Sequence, residues 1–244
     1  MQVFCISLDK YLDRWPSIVE RFTAAGLPQV IRSAGVLGQI TAASVWNRYR
    51  MLRHELRLFD LQIDNVGAVG CFFAHRRIWE RMVHEKIPQC LIFEDDVLFL
   101  PEFMPRLQQH LADAPPNLSM LLLHSIRTTA GELSKPDFYR LHDPFISTLG
   151  YMLTLDGAKK LLALADAPIE MHLDGFIGCV AALDPSFELY ALRYWLCKPN
   201  WRPTDINHSV PFYKISRYHF IGALIIIILI IIILIVLCIV PHLI

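Results

Sequence analysis

Three consecutive carboxylates, Glu94, Asp95 and Asp96, stand between the apolar run Cys90-Leu91-Ile92-Phe93 and the run Val97-Leu98-Phe99. Adjacent carboxylates repel one another, and in an apolar setting they call for a compensating cation. Oxygen ligands of this kind suit Mg2+ or Mn2+ holding a diphosphate. Alternate residues of an extended chain face the same way, so Glu94 and Asp96 are expected to point together, with Asp95 turned elsewhere. On local sequence alone, an acidic turn or a helix start stays open as an explanation.

Elements must place that triplet. Val3-Phe4-Cys5-Ile6-Ser7-Leu8 reads as a buried first strand, and 13–25 as a helix stopped by Gly26. The stretch 41–61 sets arginines among apolar residues, as an amphipathic surface helix does. Residues 70–83 form a helix with His75, Ile78, Trp79 and Met82 near one face. The runs 90–93, 120–124 and 151–155 read as further strands, and Asp156 as the cap of a helix over 156–162. Alternating strands and helices predict an α/β sheet with mostly parallel strands. In such sheets ligands bind beyond the carboxyl ends of the strands, where the triplet falls.

Composition narrows the classes. The chain has 244 residues, 23 basic and 23 acidic, so its formal charge is zero and nothing favours nucleic acid as a partner. The cysteines Cys5, Cys71, Cys90, Cys179, Cys197 and Cys238 form no CxxC pair or zinc-ligand cluster, and most sit in apolar runs as small buried hydrophobes. Between Phe220 and Val240 there is no charged residue. About twenty apolar residues rising about 1.5 Å each span a hydrocarbon core of about 30 Å. The expected organisation is a catalytic domain over 1–209, a juxtamembrane linker over 210–219 and a single-pass transmembrane tail anchor over 220–240. Lys214 and Arg217 precede the span, which predicts a cytosolic N-terminal domain.

The chain resembles glycosyltransferase family 25, the group that includes bacterial lipooligosaccharide galactosyltransferases and collagen galactosyltransferases. Five blocks in family order carry the resemblance over about residues 3–208. They are Val3 to Asp9 with Asp13-Arg14; Gly70-Cys71 with His75 and Trp79; and Leu91 to Val97 around Glu94-Asp95-Asp96. Next come Thr148 to Tyr151 with Gly157 to Leu162 and Pro168 to Asp174, and finally Thr204-Asp205-Ile206-Asn207-His208. Two positions depart from the pattern: Ala74 replaces the serine before His75, and Ala68 replaces an acidic residue often found before the Gly-Cys.

The resemblance implies a GT-A-like nucleotide-binding fold and donor binding assisted by Mn2+ or Mg2+. Asp96, with Glu94 or Asp95, would hold the metal against the donor diphosphate, and His208 could complete its shell. Arg14 could contact the nucleotide, and His75 could orient acceptor or phosphate. Inverting displacement needs a base for the acceptor hydroxyl. Asp174 is the first choice and Glu170 the second. Each role has a plainer alternative: surface residues at Arg14 and His208, a core histidine at His75, a helix cap at Asp174. The donor is expected to be UDP-galactose, then UDP-glucose, and the acceptor a glycan, a lipid-linked sugar or a protein hydroxyl. Two rivals are a non-catalytic membrane-tethered glycan-binding relative and a metal-dependent phosphohydrolase.

Overall fold

The computed structural model describes residues 1–37, 66–127, 132–165 and 172–200. All lie in the compact unit Met1–Arg202. The helix expected over 41–61, the linker over 210–219, the anchor over 220–240, Glu170 and His208 lie outside the described residues. Among the described residues, no helix is long and apolar enough to cross a membrane.

Strand β1 (Gln2–Ser7) leads through a 3-10 turn at Asp9–Arg14 into α1 (Trp15–Ala24), which opens with Pro16 where the missing N–H costs nothing. Gly26, with φ of 83°, turns the chain after the helix in the left-handed conformation glycine adopts freely. Strand β2 (Val30–Ala34), helix α2 (Val66–His84), β3 (Gln89–Glu94), β4 (Val97–Phe99) and α3 (Phe103–Asp113) follow. Then come β5 (Leu118–Leu122), β6 (Ile126–Arg127), β7 (Glu132–Lys135), β8 (Phe138–Arg140), β9 (Phe145–Ile146) and β10 (Gly150–Thr154). Helices α4 (Leu155–Ala165) and α5 (Leu173–Leu183) precede β11 (Glu188–Leu192) and β12 (Cys197–Pro199). Thr154, not Asp156, caps α4: its hydroxyl accepts from the Gly157 N–H at 3.1 Å, while Asp156 pairs with Lys160 inside the first turn.

An eight-stranded sheet runs in the order β2-β1-β3-β10-β5-β11-β8-β7. Strand β1 is parallel to β2 and β3, and β5 to β11, whereas β10 and β8 are antiparallel to both their neighbours. Strands β1, β2, β3, β5, β7 and β11 therefore share one direction. The reversed β10 starts at the edge where β1, β3 and β5 end.

Period-2 alternation gives the sheet two buried faces. Val3, Cys5, Leu91, Phe93, Leu121 and Met152 pack with Ile18 and Phe22 of α1 and Phe103 and Leu107 of α3. The Phe93 ring meets Phe22 edge-on at 5.4 Å. On the other face Cys90 meets Met82 of α2, and Tyr151 meets Trp79 of the same helix. The expected face of α2 is confirmed, since His75, Ile78, Trp79 and Met82 are all buried.

Candidate active site

The carboxyl ends of β1 and β3 and the start of β10 meet at one edge, and alternation divides the acidic triplet there between the two faces. Glu94 continues the α2-side set: its Oε1 accepts from the Thr148 hydroxyl at 2.9 Å and lies 3.8 Å from His75 Nε2. Asp95 turns to the α1 side, where its Oδ2 accepts from the Ser7 hydroxyl at 3.0 Å. Arg21 of α1 donates to the carbonyls of Asp95 and Val97 at 3.1 and 2.8 Å. Arg14 stacks on the Tyr11 ring, and its charge reaches Asp95.

The expectation that Glu94 and Asp96 point together rested on extended chain, but Asp95 and Asp96 form a tight turn between β3 and β4. The turn is pinned by the Asn200 N–H, which donates to the Asp96 carbonyl at 2.7 Å. Asp96 Oδ1 is buried without a hydrogen-bond partner among the described residues. Burial, then the charges of Glu94 and Asp95, push Asp96 up to about 7. Burial also raises Asp95, against the Ser7 hydrogen bond. Burial would raise Glu94 as well, but His75 and the Thr148 hydroxyl hold it below the usual carboxylate value. At 3.8 Å the His75 contact is electrostatic rather than a hydrogen bond. An orphaned carboxylate oxygen beside two further carboxylates fits a divalent cation, since a bound cation is the alternative to a proton.

His75 belongs to a buried polar chain. Trp79 Nε1–H donates to the Tyr151 hydroxyl at 3.1 Å, and that hydroxyl lies 2.8 Å from His75 Nδ1. With the tyrosine proton donated to Nδ1, the imidazole proton sits on Nε2 and faces Glu94. His75 is thus a core histidine and a wall of the site together.

Asp174 lies in the first turn of α5, its Oδ2 accepting from Ser147 N–H at 3.0 Å and its Oδ1 from Gly175 N–H at 2.9 Å. Burial raises it above the ordinary carboxylate range, against those two N–H groups. The Ser147 hydroxyl in turn bonds His124 Nδ1 at 2.8 Å, and the His124 ring packs on Trp195, 4.4 Å between centroids. The structure thus brings Glu94, Asp95, Asp96, His75 and Asp174 to one edge, with Arg14 beside Asp95. Ser7, Arg21, His124 and Ser147 are site residues that sequence reasoning did not single out. His124 had a signal of its own, since it follows the run Met120-Leu121-Leu122-Leu123 as the triplet follows β3.

A family model described as "Glycosyltransferase family 25 (LPS biosynthesis protein)" matches residues 1–177. A Drosophila pseudoobscura pseudoobscura protein named "Glycosyltransferase 25 family member" is 37% identical over 182 residues, covering 72% of this chain and 29% of its own length. A human protein named "Inactive glycosyltransferase 25 family member 3" is 32% identical over 135 residues, covering 53% of this chain and 22% of its own. The chain spans less than a third of the curated relatives it matches. Mouse xyloside xylosyltransferase 1 is similar in structure with a TM-score of 0.42 at 11% identity, covering 78% of this chain and 84% of that one.

Proposed function

The chain belongs to glycosyltransferase family 25, and from that premise we propose that it is an active, inverting hexosyltransferase that draws on a UDP-sugar, galactose before glucose. The observation that carries this reading is the buried, unpartnered Asp96 Oδ1 at the carboxyl edge of the sheet, on the same edge as Asp174. Asp96, with Asp95 or Glu94, would hold Mn2+ or Mg2+, which offsets the charge developing on the departing diphosphate. Arg14 supplies positive charge on the nucleotide side. Asp174, raised by burial, takes the acceptor hydroxyl proton. That oxygen bonds the anomeric carbon while the bond from the carbon to the diphosphate oxygen breaks, and the nucleotide leaves with the electron pair. Glu170 as a second base and His208 as a further metal ligand rest on the resemblance alone.

The acceptor is a hydroxyl of a glycan, a lipid-linked sugar or a protein. A membrane anchor over 220–240 would favour an acceptor at the membrane through proximity. What supports the anchor is the uncharged run itself, and resistance of the full-length chain to alkaline carbonate extraction tests it. Protease protection of the N-terminal domain in intact vesicles would overturn its cytosolic side.

Relatives named inactive favour one alternative, a glycan-binding member without catalysis. Incubating the full chain in detergent with a panel of UDP-hexoses, with and without Mn2+, separates the two. Mn2+-dependent release of UDP from one donor supports the transferase. A folded chain that neither releases nor binds nucleotide supports the alternative.

A further inference from the structure

Cys71 Sγ, His75 Nε2 and a carboxylate oxygen of Glu94 lie within 4.8 Å of one another, on the α2 face of the sheet edge. We propose that this trio is a second metal site, distinct from the Asp96 position, selective for a borderline-soft divalent ion such as Zn2+ or Co2+. Cys71 and His75 stand four positions apart on α2, so both project from one helix face, and Glu94 arrives from the end of β3. A thiol, an imidazole and one carboxylate make a three-ligand set with one position left open. The thiolate excludes Mg2+ and Mn2+ in favour of softer ions.

An observation independent of the clustering points to a ligand. His75 Nε2 is fully buried, has no hydrogen-bond partner among the described residues and stands only 3.8 Å from Glu94 Oε1. The opposite ring nitrogen already has the partner expected behind a metal-bound histidine. Tyr151 Oη sits 2.8 Å from Nδ1, and Trp79 Nε1–H donates to that same oxygen. On metal binding the imidazole proton moves to Nδ1 and is donated to Tyr151, freeing the Nε2 lone pair. The tyrosine proton gives up its acceptor, a loss small beside a metal–ligand bond. The Cys71 proton goes to solvent, and the thiolate and Glu94 together offset the charge of the ion. Cys71 is only half-buried and the Glu94 side chain is 28% exposed, so an ion has a way in.

Occupancy would recruit Glu94 away from the donor site, leaving Asp95 and Asp96 to hold the catalytic ion. The site itself needs no transferase activity. Its test is therefore a titration of the full-length chain in detergent with Co2+, following the thiolate-to-Co2+ charge-transfer band. One equivalent per chain should produce the band, Zn2+ should abolish it by displacement, and a hundredfold excess of Mg2+ should leave it. Cys71→Ser should remove the band entirely, and Glu94→Gln should weaken Co2+ binding at least tenfold, with circular dichroism showing both variants folded. Asp96→Asn should retain the band, which separates this site from the proposed catalytic one. A folded wild-type chain without the band, or a band that survives Cys71→Ser, overturns the proposal whatever the fate of the transferase reading.

Discussion

The backbone N–H of Ser147 donates to Asp174 Oδ2 at 3.0 Å, and Ser147 holds φ at 93°, a left-handed conformation that disfavours a side chain. Strain of this kind costs about 1–3 kcal/mol and persists where surrounding contacts over-determine it. Here the contacts are the Asp174 carboxylate and His124, so the loop before β10 is fixed by the proposed base itself. Asp174→Asn keeps an oxygen for the Ser147 N–H but removes the basic site. The Gly175 N–H then faces the amide nitrogen and loses its acceptor, so stability should fall by about 1–3 kcal/mol. Transfer by the folded variant should fall by about 10²–10⁴-fold. Ser147→Ala keeps the N–H and strands His124 Nδ1, so stability should drop by about 1–3 kcal/mol while most transfer survives. Equal loss of transfer in both variants would refute a base role for Asp174.

Asp96 gives the protein a pH signature. Its carboxyl is raised from the ordinary 3.8 to about 7 by burial and its acidic neighbours, so the folded chain keeps a proton that the unfolded chain releases. The sign follows: without metal, the stability from this group is full below about pH 4 and lost as pH rises to about 7. Thermal melts without divalent ions should therefore show Asp96→Asn flattening the fall between pH 5 and pH 8. A change of 1 kcal/mol corresponds to about 2–4 °C for a chain of this size. Mn2+ competes with that proton, so it should raise the melting temperature more at pH 8 than at pH 6. Equal stabilisation at both pH values in wild type and Asp96→Asn would refute the assignment.

Tyr151 is the hub of the buried polar chain. Tyr151→Phe preserves the ring and leaves Trp79 Nε1–H and His75 Nδ1 without a partner. Each stranded group costs about 1–3 kcal/mol, so chemical denaturation should show a loss of several kcal/mol from an almost isosteric change. A loss under about 1 kcal/mol would mean the chain is not satisfied as drawn.

Strand β3 and the triplet after it were legible because an apolar run ending in charge marks both a buried strand and its exit. His75, Ile78, Trp79 and Met82 were legible as one helix face for the same periodic reason. What could not be read were relations across the chain. Thr148 and Ser7, whose hydroxyls meet Glu94 and Asp95 on opposite faces, stand 54 and 88 residues away. The reversal of β10 was invisible because a strand buried on both faces carries no record of direction in its side chains. Cys71 read as packing; only the approach of β3 to α2 sets it beside His75 and Glu94.

Gly178 shows how a residue outside the chemistry can govern it. A Cβ there would lie 2.6 Å from Pro144 Cα and 2.7 Å from the Asp143 carbonyl, both backbone atoms of the segment that leads through β9 to Ser147. Backbone cannot swing aside as a flexible side chain does, so Gly178→Ala must push this segment away from α5. Overpacking of this order costs about 1–3 kcal/mol. The displacement also lengthens the Ser147–Asp174 hydrogen bond, because Asp174 sits one turn earlier on the same helix. Gly178→Ala should therefore lower transfer more than its stability loss explains, with kcat falling at a temperature where the variant is fully folded. Gly157→Ala is the matched control: its Cβ meets the Ser119 carbonyl at 2.6 Å, on strand β5 near its amino end and away from Asp174. It should destabilise comparably and leave kcat of the folded fraction near wild type. A parallel fall in kcat for both glycine variants would show that α5 does not set the Asp174 geometry.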